Sequence, residues 1–485
     1  MSPSIQHNCK FSASFPQQLS FLSRQPPKME AIAPPKHIFS SWAESPLFSK
    51  ADVWTSLCLG ALLLGAFLVL PQMRRPSRKL PHVNPRATLD LFSRAQKMDF
   101  MLNARKIIEG GRAQFPGQPY RLAMDMGEAV VLPNDFAHDI RNDPGLSAQK
   151  AFIKTFHTEL PGFEGFAAGS RPDHLFHLVI QKRITKLLNQ ITEPLSVETN
   201  FAIDRIFGSP TEWREFDIKN DVLDLISRLS SRVFLGAEVC RNEDWLAITK
   251  SYTVNAFSSA DVLRPYPAWL RPLAHRLIPQ CRALLRQVSE AKNIIEPVLE
   301  RRREVRRQAR ESGQPVPNFN DGIDWFEEES NGSKYDVVGA QLGLVVTQPV
   351  TLPDGLQLQK GEICVVDYGK MYDPEIYPDP GTFDGRRFVR MRGAAGLDGQ
   401  AQLVSTSPTH LGFGHGKHAC PGRFFASNEL KIALAHMLMK FDWRLTPGYE
   451  HKWQEWGIAL SADQTAKLIM RRREAPEIDI DAVRG

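Results

Sequence analysis

The chain has 485 residues with 42% hydrophobic and 24% charged side chains, which fits a globular protein with a sizeable core and excludes a repeat or low-complexity array. The net charge of +6 is mild. The six cysteines (9, 58, 240, 281, 364 and 420) show no paired spacing, which excludes a disulfide framework and argues for a reducing compartment.

In chain order, residues 1–52 are polar and proline-bearing, and Met29 is an equally sensible start, so no structure is assigned to residues 1–28. Residues 53–70 (VWTSLCLGALLLGAFLVL) carry no charge and approach the length that crosses a bilayer. A transmembrane helix is expected there, with 1–52 as a lumenal tail. Arg74, Arg75, Arg78, Lys79 and Arg86 follow it, against only Lys36 and Lys50 in a comparable stretch before it, so the positive-inside rule puts the C-terminal body in the cytosol. A cleaved signal is the weaker reading, because the apolar stretch begins past residue 50. Residues 71–86 hold Pro71, Pro76, Pro81 and Pro85, a stiff non-helical linker, and 87–485 form one domain.

Within that domain the apolar spacing is mainly helical: Leu89, Leu91, Phe92 and Ala95; Leu175, Leu178, Ile184, Leu187 and Leu188; and, over 217–234, Val222, Leu223, Leu225, Ile226, Leu229 and Val233. Such stripes predict core rather than cofactor contacts. Residues 282–310 form a long helical run with a kink expected at Pro297 and an end near Gly313. Its arginines (301, 302, 303, 306, 307 and 310) read as a solvated face near a helix end, in preference to a nucleic-acid surface. Strands are few. Residues 121–124 and 129–132 flank Gly127 as a hairpin, 345–351 and 356–358 flank Pro353, Asp354 and Gly355, and 363–366 is a further apolar run of strand length. The fold class is mainly α with small β sheets.

The decisive stretch is 413–426, FGHGKHACPGRFFA, which runs into a helical pattern over 427–440. Gly414, Gly416 and Gly422 let the backbone curl close, so that N–H donors can face a thiolate, and Cys420 stands at a helix N-terminus whose dipole favours the anion. A zinc site drawn from His410, His415, His418 and Cys420 is the rival reading, but closed zinc sites favour spaced pairs such as C-x₂₋₄-C, which are absent. Neither a Gly-x-Gly-x-x-Gly after a strand nor a Gly-x-x-x-x-Gly-Lys-Ser/Thr loop occurs, so any reducing nucleotide belongs to a partner.

The spacing Phe-x-x-Gly-x-His-x-Cys-x-Gly resembles the signature of the cytochrome P450 family. The resemblance implies haem b with Cys420 as axial iron ligand, His418 on a haem propionate, and Phe413, Gly416 and Gly422 in the cofactor loop. Residues 382–388 (TFDGRRF) are similar to the family's Phe-x-Pro-x-Arg-Phe segment, with Gly385 where proline is usual, and imply that Arg387 locks the loop on the haem's proximal side. Residues 157–166, 207–213, 324–329 and 465–473 resemble fungal microsomal members that act on terpenoids and polyketides in secondary metabolism. A thiolate on haem iron favours O–O cleavage, so the implied activity is monooxygenation of a lipophilic metabolite. The implied partner is NADPH-cytochrome P450 reductase, docking near Cys420, and the implied site is the endoplasmic reticulum membrane, single-pass, with a cytosolic catalytic domain.

One departure stands out. Residues 337–344 (VVGAQLGL) look like the opening of the family's distal helix, yet pass at once into 345–349 (VVTQP), which looks like a strand that follows the family's Glu-x-x-Arg helix. A segment on the order of a hundred residues is expected to be missing at 344/345, leaving no assignable catalytic acid–threonine pair. The literal Glu-x-x-Arg matches at Glu300–Arg303 and Glu304–Arg307 read as chance. The competing expectations are a catalytically inactive, truncated haem-binding form and a membrane-tethered metal-binding protein.

Overall fold

The computed structural model describes residues 80–85, 93–146, 155–168, 174–340, 363–450 and 454–475, with isolated positions at 59–60, 153, 452, 478 and 480. The expected membrane helix at 53–70, the tail before it, most of the linker, the junction at 344/345 and the extended segments at 345–358 lie outside the described residues. Among the described residues no helix is long and apolar enough to cross a membrane.

The long helices are α1 (Arg94–Gln114), α2 (Leu188–Phe207), α3 (Ile218–Phe234), α4 (Glu243–Leu263), α5 (Pro279–Glu311), α6 (Gly322–Ser330) and α8 (Arg423–Lys440), with a single turn, α7 (Val337–Ala340), between the last two. The strands are β1 (Tyr120–Met124), β2 (Gly127–Leu132), β3 (Arg214–Phe216), β4 (Ile363–Val366), β5 (Phe441–Leu445), β6 (Gln454–Trp456), β7 (Ala459–Ser461) and β8 (Leu468–Arg472). They make small sheets of order β1-β2-β4, β3-β8-β5 and β6-β7. The mainly α reading with small sheets holds.

Local chemistry explains the boundaries. Asn242 caps α4 by accepting from the Trp245 amide at 2.9 Å, with Glu243 and Asp244 in the first turn. Helix α5 opens on Pro279, continues through Pro297 as one 33-residue helix where a kink was expected, and stops at Gly313. There the Gln314 amide reaches back to the Ala309 carbonyl at 2.9 Å and the Gly313 amide to Arg310, the bond pair of a glycine C-cap, which requires the left-handed φ of +66°. The hairpin pairs Tyr120 with Val131 through Met124 with Gly127, and β4 adds in parallel to β2.

Two expectations need correction. The single helix implied by Leu175 to Leu188 is broken, because Leu175–Val179 passes into a π-turn at Ile180–Ile184 before α2 begins. In α3, Leu225, Leu229 and Val233 are buried, but Val222 and Leu223 face solvent.

The arginine run of α5 is solvated at Arg301, Arg303, Arg307 and Arg310, as expected, and departs from that at Arg302 and Arg306. Arg302 turns inward, donating to Asp321 at 2.8 and 2.9 Å and lying over the Phe319 ring at 4.2 Å, while Arg306 meets Asp324 at 2.5 Å. Arg301 pairs with Glu238, Arg303 with Glu327, and Arg307 with Glu304 and Glu311. Desolvation holds Asp324 above the usual carboxylate range despite the two guanidinium groups. The apparent Glu-x-x-Arg matches are thus surface and cross-helix pairs, and five of the six arginines have carboxylate partners.

The core has two large clusters. One gathers Phe163, Trp245, Tyr252, Leu284 and Ile295 around α4 and α5. The other joins Leu195, Ile203, Phe207 and Leu229 of α2 and α3 to Phe425 and Ala433 of α8, with Ala340 of α7 in the same cluster.

Candidate haem-thiolate site

The loop before α8 is closed by its own backbone. The Cys420 amide donates to the Phe413 carbonyl at 2.8 Å, the Gly414 amide to Leu411 at 2.9 Å, and a 3-10 turn at Gly416–His418 ends with the Ala419 amide on Gly416. Gly414 and Gly416 have φ of +72° and +62°, a region that favours glycine. At Gly416 an added Cβ would stand 2.5 Å from the Arg141 Cβ and 2.6 Å from its carbonyl oxygen. The Lys417 amide is shared between the Arg141 carbonyl (3.2 Å) and Asn142 Oδ1 (3.0 Å), and Lys417 Nζ donates to the Asp143 carbonyl. The loop is therefore docked on residues 141–143. Gly422 is different: its φ is −86° and nothing lies within 4 Å of a Cβ there, so the expected need for glycine is not met by protein atoms.

Sequence reasoning missed Arg423. Its Nη1 donates to the Cys420 carbonyl at 2.9 Å, its Nε to Val404 at 3.1 Å, and its guanidinium lies over Phe424 at 4.5 Å. A cation in the first turn opposes the helix dipole, so its place is explained by these carbonyls. The only signal in the sequence was a basic residue directly after Cys-x-Gly.

Arg387 holds its own segment: Nη2 donates to the carbonyls of Pro378 (3.1 Å), Asp379 (2.7 Å) and Thr382 (2.9 Å). Its link to the ligand loop runs through neighbours. Phe388 packs between Tyr377 and His410 at ring separations of 6.2 and 6.1 Å, and the Tyr377 hydroxyl donates to the Thr409 carbonyl at 3.0 Å. Arg387 Nε is buried without a hydrogen-bond partner.

A cleft of about 460 Å³ beside the loop is lined by Arg141, Thr185, His415, Lys417, Arg423 and Phe424 among others, and by Ala419 and Pro421 on either side of Cys420. Burial first, then Arg141 and His138, push the His415 imidazole below its ordinary value, and both its ring nitrogens are buried without a partner. The structure brings Phe413, Gly416 and Cys420 into one closed loop, with Gly422 at the mouth of α8. The backbone of His418 lies two residues before Cys420 in that loop.

The donor set fits haem: one soft thiolate on a glycine-bent loop at a helix N-terminus, with the orphaned ring nitrogens of His415 nearby. Zinc finds no support among the described residues. No three His, Cys, Asp or Glu side chains are grouped for a metal among the described residues, and His410 Nδ1 is engaged by the Ser405 carbonyl at 2.8 Å.

Comparison with known proteins agrees. The cytochrome P450 family model matches residues 334–469. Cytochrome P450 monooxygenase hepE of Aspergillus oryzae is 36% identical, over 90% of this chain and 93% of that protein. Cytochrome P450 monooxygenase 1 of Gibberella fujikuroi is 35% identical, over 74% and 98% respectively. Among solved structures, cyanobacterial CYP120A1 with retinoic acid bound superimposes with a TM-score of 0.53 at 14% identity, over 81% of this chain and 99% of that one, which speaks for the fold. The chain belongs to the cytochrome P450 family. It is a haem-thiolate monooxygenase, and its cofactor is haem b with a cysteine thiolate as axial ligand.

The alignments also carry a surplus. The one with the A. oryzae protein spans 512 positions but uses 90% of 485 residues, about 436, so about 75 positions stand opposite gaps in this chain. The G. fujikuroi alignment spans 434 positions over 74%, about 359 residues, and leaves the same surplus. The comparisons lend no support to the inactive truncated reading.

Proposed function

We propose that Cys420 is the axial thiolate and that the enzyme oxidises a lipophilic terpenoid or polyketide intermediate of fungal secondary metabolism at the endoplasmic reticulum membrane. The observation that carries the site is the closed 413–423 loop, in which the Phe413 carbonyl and the Arg423 guanidinium fix the backbone on both sides of one cysteine. A bound haem supplies oxygen activation, helped by electron donation from the thiolate. Cys420 donates that density. Phe413, Gly416 and Arg423 keep its backbone in place, and the N-terminus of α8 favours the thiolate through its dipole. His418, two residues ahead, is suited to a haem propionate.

The substrate class rests on the resemblance of residues 157–166, 207–213, 324–329 and 465–473 to fungal members acting on terpenoids and polyketides, and the relatives add that the chain's kin are fungal monooxygenases. Membrane attachment rests on the uncharged stretch 53–70. The chain has no nucleotide-binding motif, which supports NADPH-cytochrome P450 reductase as electron donor. Arg141 and Lys417 beside the ligand loop offer cationic groups for its docking. We also place an omitted segment between Leu344 and Val345, its position supported by the abrupt passage from a helical to a strand pattern in the sequence there and its existence by the roughly 75 gap positions in the alignments.

The test of the site is Cys420→Ala in the haem-loaded protein, read by the reduced carbon-monoxide difference spectrum. Loss of the thiolate-type Soret band is expected. An unchanged band in the variant removes Cys420 from the role.

A further inference from the structure

Strand β1 stands at the end of its sheet, whose order is β1-β2-β4, so among the named strands one of its edges has no partner. A bare edge is a template for another strand, and a chain that stays unassociated has to cover it. Residues 80–84, expected as the end of a stiff linker, lie along this edge. The Arg121 amide donates to the Pro81 carbonyl at 2.7 Å and the Val83 amide to the Arg121 carbonyl at 3.0 Å, which makes a parallel bridge between His82 and Arg121.

The next step of that ladder is where the chemistry changes. Backbone pairing would set Ala123 between the carbonyl of Val83 and an amide at position 85, but Pro85 has no N–H to give. Asn84 completes the step with its side chain. Its Oδ1 accepts from the Ala123 amide and its Nδ2 donates to the Ala123 carbonyl, both at 2.9 Å. The carboxamide thus stands in for the peptide group that proline cannot supply. Ala123 is buried, where an unpaired backbone group is costly. Two further contacts hold the segment: Gln96 of α1 donates to the Asn84 carbonyl at 2.5 Å, and Val83 packs on the cluster that contains Phe100, Tyr120 and Leu122.

We infer that residues 80–84 are a guard strand with Asn84 as its terminal clamp, and that the β1 edge beneath it is a self-association surface, which pairs with the same edge of a second copy of this chain once the clamp is lost. The occupant follows from the edge itself. Its outward groups belong to Arg121 and Ala123, the residues that the guard engages. Two copies of β1 paired antiparallel about Leu122 set Arg121 of one opposite Ala123 of the other, so both outward residues are used and no like charges face each other. Such a pair is self-complementary about a two-fold axis.

The test uses the full chain in detergent, as parent, Asn84→Ala and Asn84→Asp. The second variant keeps an acceptor for the Ala123 amide but sets a carboxylate against the Ala123 carbonyl, so it serves if the first fails to fold. Hydrogen exchange over residues 120–126 is expected to quicken by about tenfold or more in the variants, with residues 188–234 unchanged. Sedimentation is expected to show a concentration-dependent dimer of the variants that the parent does not form. In that dimer, exchange over 120–126 should slow again as protein concentration rises, because the same groups are paired once more.

Parent-like exchange over 120–126 in the variants overturns the clamp. Fast exchange there without a dimer overturns the self-association surface, as does a dimer in which 120–126 stays unprotected. Loss of protection throughout the chain in both variants also counts against the proposal, because the guard is a local device laid over a sheet that is otherwise complete.

Discussion

Gly416 and Gly422 separate two uses of glycine in one loop. Gly416 has a left-handed backbone and no room beside Arg141, so Gly416→Ala is expected to destabilise the fold by about 1–3 kcal/mol through strain alone, with the clash in addition. Denaturant titration measures it, and a change under about 0.5 kcal/mol would show that the loop is not docked as described. Gly422→Ala is the contrast. Its Cβ enters open space on an ordinary backbone, so the haem-free fold should be indifferent. The spacing of these glycines around Cys420 was legible in the sequence. Arg141, the group that makes Gly416 obligatory, was not, because it stands 275 residues earlier and only the fold brings it there.

At the scale of elements, periodicity located α3, α5 and α8 but did not single out α2 or α4, and it misplaced charge where polar groups are buried. The α5 arginines read as a solvated surface because charge is normally outside, and Arg301, Arg303, Arg307 and Arg310 are; Arg302 is inside because Asp321 and Asp324 at the start of α6 meet it there. Removing it strands the buried Asp321 carboxylate, while Asp324 keeps Arg306, so Arg302→Ala is expected to destabilise by about 3–5 kcal/mol, measured by urea unfolding. Helix α8 hides a second such group. Burial pushes the Glu429 carboxyl up to about 7, partly offset by the Ser230 hydrogen bond. Its folded value lies above the unfolded one, so the folded state holds a proton that the unfolded state releases. Stability from this group is full below about pH 4.5 and lost as pH rises through about 7, on the order of 3 kcal/mol in all. Glu429→Gln should flatten that slope and be the more stable form at pH 8. A variant with the same pH profile as the parent would place the titration elsewhere.

For the whole molecule, the described residues form a cytochrome P450 body, and its attachment is a question of the sequence ahead of it. Residues 53–70 are eighteen uncharged and mostly apolar positions, the length the proposed membrane anchor needs. The body keeps exposed apolar side chains of its own, with Trp269, Leu273 and Leu277 on one short stretch, which suits shallow peripheral contact and nothing that spans. These two modes differ in how they are released. An inserted helix resists carbonate because extraction exposes its full apolar length, whereas a few interfacial side chains do not resist once alkaline carbonate strips the surface. Deleting residues 1–72 should therefore turn a carbonate-resistant microsomal protein into one that is largely soluble, with a remaining fraction that carbonate removes. Replacing Trp269, Leu273 and Leu277 together by serine in the truncated form should release that fraction as well. If the truncated protein instead resists carbonate to the same degree as the full chain, the single-anchor arrangement is wrong and the body itself is embedded.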